Sequence, residues 1–600
     1  MGLHTAFNDD LKEVDVIIAG GGTSGCVIAG RLAEADPGLS ILLIEGGKNN
    51  EMPTVSVPAL FLSHMLPDSK TNIFYKARKS KQVADRELDV LAGGVLGGGS
   101  STNYMMYSRA QRSDLDSWNT PGWSADDLIP YMQKLETYHG HGPKEVHGYD
   151  GPIHISKGTH YATRFQNDFI AAANKRGLPE VEDLQRMDMN DCVTRALRYI
   201  SPDGVRSDAA SAYVHPKLKA GTHPKLHVLL ESQVIQVLFD QDKRATGVEL
   251  RSNPLFHDEI TINTVKARRL VVLTAGAISS PSILERSGVG EAKVLQRLAI
   301  PVVADVPGVG HGYQDHHLIM YTYKAALKPD ESWDGFISGR LNVDQMIKDK
   351  HPMLGSNAQD VGIRIRPSDQ DVATLGPAFQ MMWDEHFRDI PDRSLACMSA
   401  IPGLADQRKG SDGQYMSLSC FTVHPMSRGY VHITGPGIDD PIDFDTGYFA
   451  GAGNLDLKKQ VWLYKKQREI FRRMQLFRGE LASTHPPFPP GSKSACKDYT
   501  GPLPEDVEDI EYSAEDDMII EQFVRENVGT TWHSLGTCKM APREDMGAIN
   551  ASLSVHGVRG LKVADLSIAP GNVGANTNNL ALTVGEKAAD IFIKELGLKR

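Results

Sequence analysis

The chain has 600 residues, of which 41% are hydrophobic, 23% charged and 7% aromatic, a composition typical of soluble enzymes that excludes a disordered or fibrous protein. Its formal net charge of −11 would repel a phosphate backbone, so nucleic acid is not an expected partner. Six cysteines without a C-x-x-C spacing exclude a disulfide scaffold and a zinc knuckle, and no metal site is predicted. The 56 glycines cluster near residues 20, 95 and 290–310.

The termini and the apolar stretches predict no targeting signal and no membrane partner. The first residues lack a basic segment followed by an apolar one, which a secretory signal needs. The longest apolar stretch, 16–30, is shorter than the roughly 20 residues that span a bilayer. The chain ends in GLKR rather than in the peroxisomal S-K-L. We therefore expect an intracellular protein, cytoplasmic or peroxisomal.

The first glycine cluster has the pattern of a dinucleotide site. Residues 14–19, VDVIIA, predict a buried parallel strand, and GGGTSG at 20–25 leads into a segment with helical spacing of its apolar residues. In G-x-G-x-x-G the first glycine makes the turn, the second lets a pyrophosphate approach the backbone, and the third lets helix and strand pack closely. The expected cofactor contacts here are Gly20, Gly22, Thr23, Ser24 and Gly25.

A second apolar run, LSILLIE, supplies the acidic residue that such a site needs. It ends in Glu45, 20 residues after Gly25, where a carboxylate accepts hydrogen bonds from ribose hydroxyls. Strand, turn, helix and acid together predict a dinucleotide site. These residues alone leave NAD and FAD open.

Two later stretches carry a family resemblance. GVLGGGSSTNYMMY at 94–107 and GAISSPSILERSGVG at 276–290 resemble the signature stretches of the glucose-methanol-choline (GMC) oxidoreductases, which use FAD to oxidise alcohols. The resemblance extends over nearly the whole chain and implies FAD. It places Asn103 near the reactive edge of the flavin, and Thr102 stands where some members carry a histidine bonded to FAD, so non-covalent FAD is expected. The further cofactor contacts that it implies are Gly97, Gly98, Ser100, Asn103, Val234, Asp565 and Thr577.

The C-terminal segment carries the catalytic candidates. TTWHSLGTCKM at 530–540 contains His533, and Asn576 follows 43 residues later, before a helix expected to begin near Thr577. The resemblance implies that both side chains face the flavin. A neutral imidazole is a suitable base for the hydroxyl proton of an alcohol. An amide donor orients the substrate oxygen without competing for that proton.

Most of the 21 histidines are expected to be ordinary polar residues, since they cannot all be catalytic. The segment VPGVGHGYQDHH at 306–317 is similar to the stretch that leads into the substrate domain in the family, which places His316 and His317 near the border of the flavin domain. A structural role is expected for His215, His227, His316, His317 and His424.

Several segments resemble the fungal alcohol (methanol) oxidase branch of the family. By that resemblance Tyr104, Met106 and Trp532 line a small apolar pocket for a short primary alcohol. The implied reaction is hydride transfer from the alcohol to flavin N5, giving an aldehyde, with molecular oxygen as the acceptor and hydrogen peroxide as the product. The alternatives are a dehydrogenase that passes electrons to a quinone, an oxidase of larger or aryl alcohols, and a non-redox FAD-containing lyase. A homo-oligomer is left open.

The expected fold is α/β, α+β overall, with a Rossmann-like FAD-binding domain interleaved with a substrate domain built on an antiparallel sheet. The FAD-binding domain is expected to take residues 1–154, 206–319 and 526–600. The substrate domain is expected to take residues 155–205 and 320–525.

Overall fold

The computed structural model describes residues 2–404 and 413–598, so the end of the GLKR terminus lies outside the described residues. The strands are β1 (Leu3–His4), β2 (Glu13–Ala19), β3 (Ile41–Ile44), β4 (Asn72–Lys76), β5 (Asp89–Gly93), β6 (Glu136–Tyr138), β7 (Ile153–Ile155), β8 (Cys192–Arg195), β9 (Leu226–Leu229), β10 (Ser232–Phe239), β11 (Ala245–Ser252), β12 (Ile262–Leu273), β13 (Val289–Gly290), β14 (Ala304–Asp305), β15 (His311–Tyr313), β16 (His317–Ala325), β17 (Val361–Ile365), β18 (Ala396–Ile401), β19 (Tyr415–Thr422), β20 (Gly429–Ile433), β21 (Ile442–Asp445), β22 (Phe477–Glu480), β23 (Gly529–Thr530) and β24 (Leu561–Val563).

The α-helices are α1 (Thr23–Ala35), α2 (Pro53–Ser56), α3 (Gly99–Thr102), α4 (Arg112–Asp116), α5 (Ala125–Leu135), α6 (Thr163–Lys175), α7 (His215–Ala220), α8 (Gly276–Arg286), α9 (Ala292–Arg297), α10 (Asp334–Ile337), α11 (Val343–Lys348), α12 (Asp369–Thr374), α13 (Pro377–His386), α14 (Leu455–Arg472), α15 (Ala514–Asn527) and α16 (Asn578–Glu595). A π-helical turn, Ala210–Val214, precedes α7. Short 3-10 helices cover Asp9–Leu11, Pro58–Met65, Lys81–Val83, Pro329–Glu331, Pro352–Gly355, Ala452–Asn454, Ala482–Thr484, Arg543–Asp545 and Leu566–Ile568.

The first layer is a mixed sheet in the order β1-β9-β3-β2-β12-β11-β10. The strands from β1 to β12 run parallel, and β11 and β10 continue the sheet as an antiparallel hairpin. The twelve-residue β12 serves both halves, because its start pairs with β11 and its end pairs in parallel with β24 on the same side. The C-terminal segment of the chain therefore returns to the sheet that the N-terminal segment begins.

The predicted strand, turn and helix at the start of the chain are confirmed. Residues Val16 to Ala19 of β2 are completely or almost completely buried between β3 and β12, as its β-branched apolar run requires. Helix α1 begins at Thr23, directly after the glycine turn, and packs against α16. At their contact the Cβ of an alanine at Gly585 would lie 2.8 Å from the Cβ of Val27, so the two helix backbones approach closely.

The second layer is an antiparallel sheet in the order β22-β16-β19-β18-β17-β8, with β23 paired to β16. It confirms the predicted antiparallel sheet. A second hydrophobic core surrounds it, built largely by residues of α6, α14, α15 and the sheet itself. Because β8 comes from the first third of the chain and β23 from the last, both sheets draw on interleaved segments. The proposed domain boundaries remain a prediction.

Helices that could span a membrane and candidate metal clusters are both absent from the described residues. Within 2–404 and 413–598, no helix combines the length and the apolar character that crossing a bilayer demands. In the same part of the chain, no cluster of three or more histidine, cysteine or acidic side chains has the geometry of a metal site. A cavity lies between the two layers, with α1, α3 and α16 on one side and strands β16 to β19 on the other.

Candidate active site

The first glycine turn has a backbone that only glycine adopts without strain. Gly20 has a φ of +118°, and a Cβ there would lie 2.4 Å from the carbonyl oxygen of Thr274. A Cβ at Gly25 would lie 2.1 Å from the carbonyl oxygen of Gly20. At Gly22, the residue before α1, a Cβ would meet only the Thr274 carbonyl oxygen, at 3.7 Å. The turn is therefore closed toward the strand and open at the N-terminus of the helix, where N–H groups have no partner within the helix.

The second glycine cluster lies directly against the first. The N–H of Gly97 donates to the carbonyl oxygen of Gly21 at 2.7 Å. Gly98 has a φ of +53°, and a Cβ there would come within 2.7 Å of the Cα of Gly22. The hydroxyl of Thr23 accepts from the N–H of Ser100 at 3.2 Å. The structure thus brings together, at the start of α1, two glycine runs that are about 75 residues apart in sequence.

Glu45 follows β3 and lies beside the glycine turn. Its Oε1 accepts from the N–H of Gly47 at 2.8 Å, and a Cβ at Gly21 would lie 3.0 Å from its Oε2. Burial raises the pKa of Glu45 to about 7. Val234 lies in β10, two residues after Ser232, whose N–H donates to the Glu45 carbonyl oxygen at 3.0 Å.

Two predicted cofactor contacts use their side chains within the protein. The hydroxyl of Ser24 donates to the carbonyl oxygen of Ala581 at 2.8 Å, which ties α1 to α16. Asp565 accepts from the N–H of Gly276 at 2.9 Å and from the hydroxyl of Ser280 at 2.6 Å. These bonds place the N-terminus of α8 beside the 3-10 helix at Leu566–Ile568. Both side chains therefore position backbone.

The cavity between the two layers has a volume of about 220 Å³ and reaches from the N-terminus of α1 to the C-terminal segment. Several predicted site residues line it, namely Thr23, Asn103, Tyr104, Met106, Trp532, His533, Asn576 and Thr577. The others lie outside its lining, namely Gly20, Gly22, Ser24, Gly25, Glu45, Gly97, Gly98, Ser100, Val234 and Asp565. Thr23 of the dinucleotide turn therefore lines the same cavity as the catalytic candidates His533 and Asn576.

His533 and Asn576 meet at the cavity wall. The Nε2 of His533 lies 3.4 Å from the Nδ2 of Asn576, although 43 residues separate them. Helix α16 begins at Asn578, with Thr577 at its N-cap, so Asn576 lies just before a helix N-terminus. Burial lowers the pKa of His533 to about 3. The imidazole is therefore neutral at physiological pH and has a lone pair to accept a proton.

Two neighbours of His533 lie in the segment 306–317 and were missed from the sequence. The Nδ1 of His316 lies 2.9 Å from the Nδ1 of His533, a contact that the sequence did not predict, and the structural role expected for His316 stays a prediction. The preceding Asp315 accepts from the backbone N–H of His533 at 3.0 Å and from the hydroxyl of Tyr448 at 3.0 Å. The sequence signal was the pair of polar residues in YQDHH, immediately before the buried strand β16.

Aromatic and sulfur-containing side chains form the apolar wall beside this pair. The ring centroid of Tyr104 lies 4.5 Å from that of Phe61 and 5.6 Å from that of Trp532. Met105 and Trp532 have left-handed φ values of +56° and +57°, which are rare for residues other than glycine and are often found at functional sites. The methionines that line the cavity are Met65, Met105, Met106, Met320 and Met398.

The family is decided by two matches that together cover most of the chain. Family models described as GMC oxidoreductase match residues 14–318 and 425–585. The chain belongs to the GMC oxidoreductases. The resemblance expected from residues 94–107 and 276–290 is confirmed.

This GMC oxidoreductase has full-length relatives. The alcohol oxidase of Candida boidinii is 38% identical, with 98% of this chain and 96% of that protein covered. Alcohol oxidase 1 of Komagataella phaffii is 36% identical at the same coverage. A solved structure of formate oxidase from Aspergillus oryzae has a TM-score of 0.84 at 22% identity, covers 98% of this chain and 99% of its own, and shows the shared fold.

The geometry of the GMC oxidoreductase fits FAD, the cofactor of this family. Besides the open turn at Gly22, a Cβ at Gly99 or at Gly276 would meet no atom within 4 Å, so these backbones face open space at the starts of α3 and α8. Two helix N-termini, of α1 and α16, border the cavity, and each favours negative charge. The cavity then continues to His533.

Proposed function

We propose that this protein oxidises a primary alcohol to the aldehyde, with molecular oxygen as the electron acceptor and hydrogen peroxide as the second product. The observation that carries the proposal is the His533–Asn576 pair, which meets at 3.4 Å on the wall of a cavity that begins at α1. The reaction type is supported by relatives named alcohol oxidase at 36–38% identity over nearly the full length.

His533 is the proposed base. Its Nε2 takes the hydroxyl proton of the alcohol, which gives the oxygen alkoxide character and weakens the C–H bond on the adjacent carbon. FAD, when bound, supplies the acceptor for the hydride that leaves this carbon and passes the electron pair to oxygen. Since the imidazole is neutral and buried, it needs no prior deprotonation.

Asn576 is the proposed orienting group. Its Nδ2 has N–H donors beside the base, so it can hold the substrate oxygen at the point where negative charge develops. An amide does not compete for the proton. The N-terminus of α16, which begins two residues later, adds a favourable dipole for that charge.

A short, unbranched alcohol is the proposed substrate class. Tyr104 and Trp532 form an aromatic wall next to the base, with Met106 in the same lining. In such an apolar pocket one methylene is worth about 1–3 kcal/mol, so chain length is discriminated by contact with this wall.

Non-covalent FAD is also proposed. Thr102, at the end of α3, lines the cavity next to Asn103, and it has no imidazole to bond the flavin. Precipitating the purified protein with acid should release all the yellow colour into the supernatant. A yellow pellet would contradict non-covalent binding.

An intracellular site of action, cytoplasmic or peroxisomal, is proposed as well. All six cysteines are free, and five of them are buried. Free thiols in this number suit a reducing compartment.

One experiment separates the candidate functions. Purified protein is mixed with methanol, ethanol, hexanol, benzyl alcohol and glucose in air, and hydrogen peroxide is measured. The account predicts peroxide with the short alcohols. Reduction of a quinone or dye without peroxide would indicate a dehydrogenase. A preference for benzyl alcohol would indicate an aryl-alcohol oxidase. If no alcohol bleaches the flavin anaerobically, the non-redox lyase is the function that remains.

A further inference from the structure

We infer that His316 is a positioning residue that determines which nitrogen of His533 carries the proton and keeps the lone pair of His533 on the side of the cavity. The inference rests on the proposed function, in which His533 Nε2 is the base. The rings of His316 and His533 join through their Nδ1 atoms at 2.9 Å, with planes at 84° to each other. His316 has no direct place in the cavity lining, so it acts through His533.

The positions of both rings are fixed by one carboxylate oxygen. The Oδ1 of Asp315 accepts from the backbone N–H of His316 at 2.7 Å and from the backbone N–H of His533 at 3.0 Å. The Oδ2 of the same side chain accepts from the hydroxyls of Tyr448 and Thr530. Phe421 stacks on the His316 ring, with centroids 5.5 Å apart. The two imidazoles therefore meet in a defined orientation rather than through mobile side chains.

Both rings are neutral, so only two arrangements of their N–H protons are compatible with the hydrogen bond between them. Burial lowers the pKa of His533 to about 3 and that of His316 well below its usual value. A neutral imidazole has one N–H and one lone pair. In the hydrogen bond between the two Nδ1 atoms, either His316 donates and His533 accepts, or His533 donates and His316 accepts. Only the second arrangement leaves the Nε2 of His533 with its lone pair.

The partner of His533 on the cavity side selects the second arrangement. The Nδ2 of Asn576 lies 3.4 Å from the Nε2 of His533 and can only donate, so Nε2 accepts and the N–H of His533 is on Nδ1. Burial and the neighbouring His533 lower the pKa of His316. The Nε2 of His316 is buried and has no hydrogen-bond partner among the described residues. With the N–H of His533 on its Nδ1, the Nδ1 of His316 is the acceptor.

The consequence lies at the other end of His533. With its N–H on Nδ1 held by His316, the ring presents the Nε2 lone pair beside Asn576, where the hydroxyl of an alcohol would donate. After proton transfer the ring has both N–H groups, and the one on Nδ1 keeps its acceptor. The opposite tautomer would present an N–H to the substrate and could not take its proton.

The test uses three single variants of the FAD-loaded enzyme. Asparagine at position 316 places an amide oxygen near the position of Nδ1, so His316→Asn should keep the acceptor. Glutamine places its oxygen near the position of Nε2, and leucine has no acceptor. The rate constant of anaerobic flavin reduction at saturating ethanol should fall at least about tenfold in His316→Leu and His316→Gln but stay within about threefold of wild type in His316→Asn.

Two further measurements separate this role from a structural one. The FAD content and the ethanol dissociation constant should stay at wild-type values in all three variants, since His316 orients a proton and touches neither ligand. In proton NMR of the holoenzyme, a downfield, exchange-protected imidazole N–H should be present in wild type and His316→Asn. The same signal should be absent in His316→Leu and in His533→Ala.

A double variant distinguishes failure of this inference from failure of the proposed function. In a His533→Ala background, adding His316→Leu should cause no further loss, because His316 acts only through His533. Three results would each overturn the role of His316. The first is a wild-type rate constant of flavin reduction in both His316→Leu and His316→Gln. The others are a loss in His316→Asn equal to that in His316→Leu, and additive losses in the double variant. Normal reduction by His533→Ala alone would overturn the proposed function. If His316→Leu does not retain FAD, the rate constants of His316→Gln and His316→Asn are compared instead, and the inference requires the slower reduction in His316→Gln.

Discussion

The cavity has two ends that are built in different ways. The end at α1 adjoins a backbone cradle just outside the lining, where Gly20, Gly25 and Gly98 allow approaches that any Cβ would block. The end at α16 is made of side chains, where His533 and Asn576 meet through contacts with distant segments. The backbone cradle tolerates little change, although each glycine run is visible as a short motif, whereas the side-chain pair depends on tertiary contacts that short motifs do not encode. Substitutions at the two ends should therefore fail in different ways.

At the glycine end, Gly98→Val should remove FAD and with it all activity. The new Cβ would lie within 2.7 Å of the Cα of Gly22, in a residue whose φ is +53°. The FAD-to-protein absorbance ratio of the purified variant measures the loss. Gly177→Val is the matched control, because Gly177 has a φ of +78° but no neighbour within 4 Å. It shares the strain of about 1–2 kcal/mol from the left-handed backbone. Full FAD content in Gly98→Val would refute the cradle.

At the side-chain end, Asn576→Ala should leave FAD bound and slow flavin reduction by about 100-fold, as expected for losing one donor to a developing negative charge. Anaerobic stopped-flow mixing with ethanol measures it. Asn576→Asp has nearly the same shape but replaces the N–H donor with an acceptor, so it should be at least as slow. If Asn576→Asp reduces at the wild-type rate, Asn576 does not act as a donor.

The aromatic wall should control chain length with a smaller effect. In Trp532→Ala the specificity constant for hexanol relative to ethanol should rise about tenfold, since each methylene in such a pocket is worth about 1–3 kcal/mol. Tyr104→Phe keeps the ring that packs against Trp532 at 5.6 Å and should leave the ratio unchanged. An unchanged ratio in Trp532→Ala would show that the wall does not limit the substrate.

The smallest expected effect is that of pH on flavin reduction. Burial lowers the pKa of His533 to about 3, and a base works in its deprotonated form, so activity is lost only as the pH falls toward that value. The rate constant should vary by less than about twofold between about pH 5 and 8, where an unperturbed histidine would titrate. Loss of activity with a midpoint near the usual histidine pKa would contradict this.

The two ends also differ in how far the sequence predicts them. The strand, the turn and Glu45 were predictable because their roles follow from about 30 consecutive residues with a regular pattern. Ser24 and Asp565 illustrate the limit of that pattern, since their side chains bond to Ala581, Gly276 and Ser280, which are distant in sequence.

The side-chain end was predicted only in part. His533 and Asn576 were identified by family resemblance, but the contact with His316 spans 217 residues, and the polar residues in YQDHH do not indicate which distant residue they meet. Asp315 and His316 lie immediately before β16, and pairing of that strand with β23 brings them beside His533. Such contacts are set by sheet pairing, which depends on the whole fold.

The most direct test of the account is anaerobic reduction of the flavin by ethanol in wild type and His533→Ala. The account predicts that the variant retains FAD and reduces it about 10²–10⁴-fold more slowly, the usual range for losing a positioned base. His139→Ala, at an exposed histidine far from the cavity lining, should match wild type. Reduction by His533→Ala within about twofold of wild type would contradict the role of His533 as the base.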